Sequence, residues 1–163
     1  MESPSDREDI IARYLEGPVL LENILNGLKE SDLDTAPKKG GWTVRQIVHH
    51  IVDGDDLWKI CIKQAIGNDQ SEFSLNWYRA LSQDTWADRW AYSQRPVDVS
   101  LALLRAIRDH VVELLEHVPE GWNKSVDFRE PNGVTEKLPV GFIIQMQANH
   151  VMHHLKQIET VLK

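Results

Sequence analysis

The side chains with the most chemistry to offer in this 163-residue chain are its seven histidines. His150 and His154 are spaced i, i+4, which on a helix stacks two imidazoles one turn apart, able to aim at one ion. At about 100° per residue, and with the apolar centre of that helix near Ile158, His154 lies about 40° and His150 about 80° to one side, whereas His153 points roughly 140° away. Chance supplies roughly 0.3 such pairs in a chain of this make-up, so a third ligand is needed. On an earlier segment the same arithmetic sets His49 nearly opposite the apolar stripe of Ile47, Ile51, Trp58 and Ile62, and His50 at its edge beside Leu57 and Cys61. His50 is therefore the candidate third ligand. Three neutral imidazoles leave one coordination position for water or substrate, which is the catalytic rather than the structural pattern for zinc. Imidazole also suits nickel, copper and iron, and zinc leads by default. Such an ion lowers the pKa of bound water toward ~7 for hydrolysis, or deprotonates a substrate thiol for transfer to an electrophile.

Other polar residues compete for supporting roles. Asp53, three residues after His50, could hold the second nitrogen of a ligand, or be a solvated helix carboxylate. Gln147 and Gln157 lie on the flank of His150 and His154, as orienting groups or as ordinary border residues. His110 and His117 fall outside the stripe of their helix, and His117 suits the negative end of the helix dipole. Cys61 is the single cysteine, and a small core residue is a simpler account of it than a nucleophile.

These side chains must be carried by helices. Four segments show apolar residues recurring every three and four positions, and none shows sustained strand-like alternation, so the expected fold is all-α, a single four-helix-bundle domain over residues 1–163. The first segment runs from Asp6 to Leu28 and should kink or break at Gly17-Pro18. The second opens on a capping box, Thr43 with Gln46 three residues on, with Trp42 placed to staple on Ile47, and runs to Gly67. The third follows Pro96 with Leu101, Leu104, Ile107, Val111, Leu115 and Val118, and stops at Pro119; the fourth follows Pro139. A long aromatic connection, 68–95, separates helices two and three, and its Trp77, Tyr78, Trp86, Trp90 and Tyr92 are too many for a solvated linker. Trp86 and Trp90 at i, i+4 predict a short helix over the bundle, either a lid or a fixed cover for one open side. Before the last helix, Val126, Phe128 and the turn signal Asn132-Gly133 predict a small β-hairpin.

Composition excludes several classes. Hydrophobic residues at 42% and charged residues at 26% are those of a globular protein, not a disordered or membrane chain. A net charge of −7 without a Lys/Arg cluster argues against a nucleic-acid partner. Met1 to Asp9 offers no basic and apolar run of a signal peptide, and no stretch of roughly 18 apolar residues could span a bilayer, so the expectation is no membrane association. A lone cysteine fits a reducing, cytoplasmic location. The expected partner is a small-molecule substrate, with a homodimer through an exposed helix face left open.

Three segments together carry a resemblance: Gly41-Trp-Thr-Val-Arg-Gln-Ile-Val-His-His-Ile-Val-Asp53; Trp86-Ala-Asp-Arg-Trp90 followed by Pro96 and a Leu-rich helix; and His150-Val-Met-His-His-Leu-Lys-Gln-Ile158. Over nearly its whole length the chain resembles the DinB-like superfamily, and more closely its YfiT-like metal-dependent members. The resemblance implies a four-helix bundle whose second helix gives one histidine, eight residues after the tryptophan, and whose last helix gives a His-x-x-x-His pair. Those positions are His50, His150 and His154. It further implies a metal-dependent hydrolase, or an S-transferase using a low-molecular-weight thiol such as bacillithiol or mycothiol, with a divalent metal, zinc or nickel, as cofactor. This chain has His154-Leu-Lys-Gln where many relatives have His-Arg-Gly-Gln, so contacts of that arginine do not carry over. It also ends on the fourth helix, without the extra domain of mycothiol-dependent maleylpyruvate isomerases. The leading expectation is thiol transfer to an electrophilic small molecule; hydrolysis and a non-enzymatic metal-binding or stress-response module are the rivals.

Overall fold

The computed structural model describes residues 4–163. Four long helices form a bundle: α1 (Pro4–Leu25), α3 (Val44–Gly67), α6 (Asp98–His117) and α7 (Val140–Val161), with the short α2 (Glu30–Leu33), α4 (Asn76–Arg79) and α5 (Gln83–Arg89) in the connections. Around the bundle α1 packs on α6 and α7, and α3 packs on the same two, so α1 and α3 lie across the diagonal from each other, as do α6 and α7. Crossing a diagonal takes more chain than turning to a neighbour, which accounts for the lengths of 26–43 and 118–139. The longest connection, 68–97, joins α3 to α6, which are already neighbours. Its length therefore serves something other than closure of the bundle. No helix among the described residues is long and apolar enough to cross a membrane.

Helix α3 starts where the capping box predicts. The Gln46 amide N–H donates to Thr43 Oγ1 at 3.2 Å, and Gln46 Oε1 accepts from the Thr43 N–H at 2.9 Å. Two of the unpaired donors at a helix start are satisfied this way. Thr43→Ala should cost about 1 kcal/mol, read as a lower urea midpoint at unchanged slope.

The break expected at Gly17-Pro18 does not occur: α1 runs without interruption from Pro4 to Leu25. Pro18 has no N–H to give the Tyr14 carbonyl one turn back, but the guanidinium of Arg108 supplies the missing donor, with Nη1 at 2.6 Å from that oxygen. Gly17 gives it room, since a Cβ there would stand 2.5 Å from Nη1. Arg108 is fully buried on α6 and bonded through Nε and Nη2 to Asp55 of α3, at 2.7 and 3.2 Å, and through Nη2 to the Gln147 carbonyl of α7, at 3.1 Å. One side chain thus ties all four helices together at mid-bundle.

The expected hairpin is part of a three-stranded sheet. β2 (Ser125–Arg129) pairs antiparallel with β3 (Thr135–Pro139), Val126 opposite Leu138, and β1 (Glu72–Ser74) adds in parallel on the other edge of β2, Phe73 opposite Phe128. The turn is longer than a two-residue Asn-Gly loop; it spans 130–134, with Gly133 at φ +84°. β1 has three residues, too few to show alternation in sequence. Its side chain Phe73 joins Phe128 and Trp58 in an aromatic layer, with Trp58 and Phe128 stacked at 5.3 Å.

In the aromatic connection, α5 forms over Trp86 and Trp90, whose rings lie 4.8 Å apart, and Tyr78 stacks on Trp86 at 5.5 Å. The segment is fastened to α3 and its approach: the Trp42 indole N–H donates to Asp84 Oδ1 at 2.7 Å, and the Tyr92 hydroxyl donates to Asp53 Oδ2 at 2.5 Å. In this structure it is a packed cover. α5 ends in a Schellman turn, with Tyr92 N–H donating to the Ala87 carbonyl and Ala91 N–H to that of Asp88. Ala91 occupies the left-handed position at φ 53°, where glycine is the relaxed choice. Ala91→Gly should raise the urea midpoint by an amount worth up to about 1 kcal/mol, since relief of the left-handed strain exceeds the added freedom of the unfolded chain.

Candidate metal centre

His50 projects from the second turn of α3, His150 and His154 from successive turns of α7, and the two helices are neighbours. The structure brings the three rings together. His150 Nε2 lies 3.2 Å from His50 Nε2 and 3.0 Å from His154 Nε2, and all three atoms fall within 4.8 Å of one another. Gln157 Oε1 accepts from His154 Nδ1 at 2.8 Å, which leaves the His154 Nε2 lone pair facing the cluster. His150 Nε2 can put one proton toward one neighbour, so in any neutral arrangement a lone pair remains aimed at the common point. Three convergent ring nitrogens with lone-pair density to share suit a single divalent cation with a fourth position open.

Burial makes the rings neutral. It depresses His50 to about 4, helped by the charge of His154, and His150 to about 3, helped by His154 and His50; His154 is also lowered by burial, partly opposed by its bond to Gln157. Neutral imidazole is the ligating form, so no proton has to leave before a cation enters at pH 7. The same shifts bear on the stability of the metal-free protein. These rings take protons less readily folded than unfolded, so their contribution is complete above the ordinary value of 6.5 and falls away as pH drops toward 4 and 3. The urea midpoint of the metal-free protein should be level from pH 8 to 7 and fall steadily between pH 6.5 and 4.

The remaining polar residues divide. Gln157 meets His154 directly. Asp53 engages the Tyr92 hydroxyl, the bond that fastens the aromatic cover. Gln147 is buried near the imidazoles with its main-chain carbonyl on Arg108, and neither atom of its amide makes a hydrogen bond. His49, set nearly opposite the stripe by its angle, is instead completely buried, with its ring nitrogens on Ser100 Oγ at 2.9 Å and the Arg95 carbonyl at 3.1 Å. A helix that packs on two others has no solvent side at that position, which the single-stripe reading of α3 misses. Cys61 is buried and its thiol pushed up to about 12, so it remains protonated and is a core residue. His117 ends α6 with Nδ1 on the Glu113 carbonyl.

Two hollows adjoin the imidazoles. One, of about 420 Å³, reaches His50 and His150 and is walled by Leu57, Trp58, Leu75, Tyr78 and Met146. The other, of about 400 Å³, reaches His154 and is bordered by polar groups, Asp84, His153 and Gln157 among them. Gln83, at the start of α5, borders both. The aromatic connection thus forms part of each wall, and Asp84, Gln83 and Tyr78 are site-lining residues that no motif in the sequence points to.

Three imidazoles from adjacent helices, around a point open to two hollows, define a four-helix-bundle protein with a candidate metal centre. The chain belongs to the DinB superfamily, whose pattern matches residues 14–158. It is 30% identical over 147 residues to a protein of Oceanobacillus iheyensis that carries the provisional name metal-dependent hydrolase, covering 90% of this chain and 80% of that one. A Bacillus cereus protein with the same provisional name is 33% identical over 147 residues, covering 90% and 79%. Among solved structures, YfiT from Bacillus subtilis, described as a candidate metal-dependent hydrolase with an unusual four-helix bundle topology, superposes with a TM-score of 0.82 over 99% of this chain and 88% of its own, at 23% identity. That match concerns the fold.

Proposed function

We propose that the protein is a metal-dependent enzyme in which His50, His150 and His154 hold one divalent cation, zinc or nickel, and that it transfers a low-molecular-weight thiol to an electrophilic small molecule. A cation held there supplies Lewis acidity at one point, enough to keep a sulfur deprotonated at neutral pH. The observation that carries the reading is the pair of hollows meeting at the imidazoles, because transfer brings together two organic ligands whereas hydrolysis needs one and water. The polar hollow beside His154 suits a hydrophilic thiol carrier, and the apolar one beside His50 and His150 suits the acceptor. The protein's own groups fix the rings: Gln157 sets the His154 tautomer, and Trp42 packs edge-on against His50 at 4.9 Å.

Hydrolysis is the second reading, favoured by the names of the relatives. Against it, the one carboxylate bordering the apolar hollow, Asp55, is committed to Arg108, which leaves no free acid there to protonate a leaving group. The dividing experiment is a conjugation assay with bacillithiol and an alkyl halide, run beside an esterase and amidase panel on protein of known metal content. Thiol-dependent product supports transfer, and hydrolysis without it overturns that reading.

A further inference from the structure

Gln147 is 2% exposed, yet neither its Nε2 nor its Oε1 has a hydrogen-bond partner. A buried amide left in that state is costly and calls for an occupant that completes it. Its backbone does not drift, since its carbonyl is held by Arg108. Its Nε2 faces the Asp55 carboxylate, which can take one hydrogen of the amide beside the two bonds from Arg108; the second Nε2 hydrogen and Oε1 are left without a partner. Gln147 also lines the apolar hollow of about 420 Å³ that reaches His50 and His150. Two flat walls of this hollow are supported from behind by further rings: Trp58 stacks on Phe128 and Tyr78 on Trp86. The cation on its border, Arg79, is paired with Glu130, and the carboxylate, Asp55, with Arg108. The hollow therefore has largely apolar walls and no unpaired charge, and its deeply buried amide, Gln147, keeps capacity both to donate and to accept.

We infer that this hollow is the acceptor-substrate subsite, and that Gln147 is its specificity residue, reading a primary amide, urea or lactam group on an otherwise apolar, uncharged molecule. This rests on the proposed enzymatic reading for the word substrate, but not for the binding. Such groups present a donor and an acceptor side by side, which matches a glutamine amide on both edges. In the metal-free protein a carboxylate in the same place would sit beside Asp55 and lose its hydration without a free cation to compensate. An apolar ligand of the same shape would leave the glutamine unpaired, and sites built to hydrogen-bond a group reject the analogue lacking it.

The test is titration of metal-free wild-type protein with phenylacetamide, phenylacetate and ethylbenzene, followed by ligand-observed NMR, and repeated on Gln147→Leu. Phenylacetamide should bind wild type at least tenfold more tightly than either companion. The variant should lose at least tenfold for phenylacetamide and gain for ethylbenzene, because an unpaired amide has been replaced by a matching apolar surface. Gln147→Leu should also melt at or above the wild-type temperature. If it does not fold, Gln147→Met provides the same contrast with an unbranched chain. Equal binding of the three probes, tighter binding of phenylacetate, or an unchanged preference in the variant overturns the inference. Failure here with the ion still present in purified wild type sinks the subsite alone, whereas loss of the ion reading leaves the probe preference standing.

Discussion

Replacing His150 with alanine is expected to empty the centre. Protein purified without a metal-affinity tag should carry about one divalent ion per chain as wild type, and none as His150→Ala, by elemental analysis. His150 has the largest predicted effect of the three ligands because its Nε2 is the middle atom, 3.2 Å from one partner and 3.0 Å from the other. Loss of an outer-sphere partner alone typically weakens metal binding by about 10- to 100-fold, and loss of a ligand should exceed the upper figure. The fold should survive, since the truncation faces a hollow rather than the apolar interior. Asp53→Ala makes a sharp control: its carboxylate serves Tyr92, so ion content should hold while the aromatic cover loosens. Ion retained in His150→Ala would remove the three-imidazole centre from consideration.

The second large effect lies in the interior. Asp55→Ala leaves the Arg108 guanidinium fully buried with its charge uncompensated, and breaking one side of such a pair costs about 3–5 kcal/mol. For a domain whose total stability is of order 5–15 kcal/mol that is severe, and the melting temperature should fall by roughly 10 °C. Burial pushes the Asp55 carboxyl upward, and Arg108 pulls it back by charge and hydrogen bond, so the two residues stand or fall together. Arg108→Met should be comparably harmful, because it orphans the Tyr14 and Gln147 carbonyls as well as Asp55. In that background Pro18→Ala should recover part of the loss, since a restored N–H can reach the Tyr14 carbonyl. In wild type, where Arg108 already fills that place, the same change should bring little. Additive behaviour of the two substitutions would refute the account of how α1 passes Pro18 unbroken.

Much of this was legible in sequence because the signals were local. The capping box at Thr43 and Gln46 fixes the start of α3 within one turn, and His150 and His154 share a flank by spacing alone. His50 follows from its angle at the edge of the stripe. What could not be read depends on long-range partners. Pro18 predicts a broken helix until Arg108, remote in sequence, is seen to supply the donor. His49 points away from one apolar stripe but into another helix. A signal was nonetheless available for the ion pair: Asp55 falls one turn from Ile51, Arg108 one turn from Leu104, and a charged residue of each sign within an apolar stripe suggests a mate. Strand β1, three residues long, carries no periodicity to detect.

The converging His50 and His150 nitrogens come from positions 100 residues apart in the chain, on helices that meet along a single seam. Without a cation, lone pairs there face one another and the seam is a natural place for breathing. Loading should therefore register well beyond the imidazoles, as slower deuterium uptake by amides on both flanking turns, with far smaller change along α1. Cellular metal supply would then set how long the folded chain resists proteases.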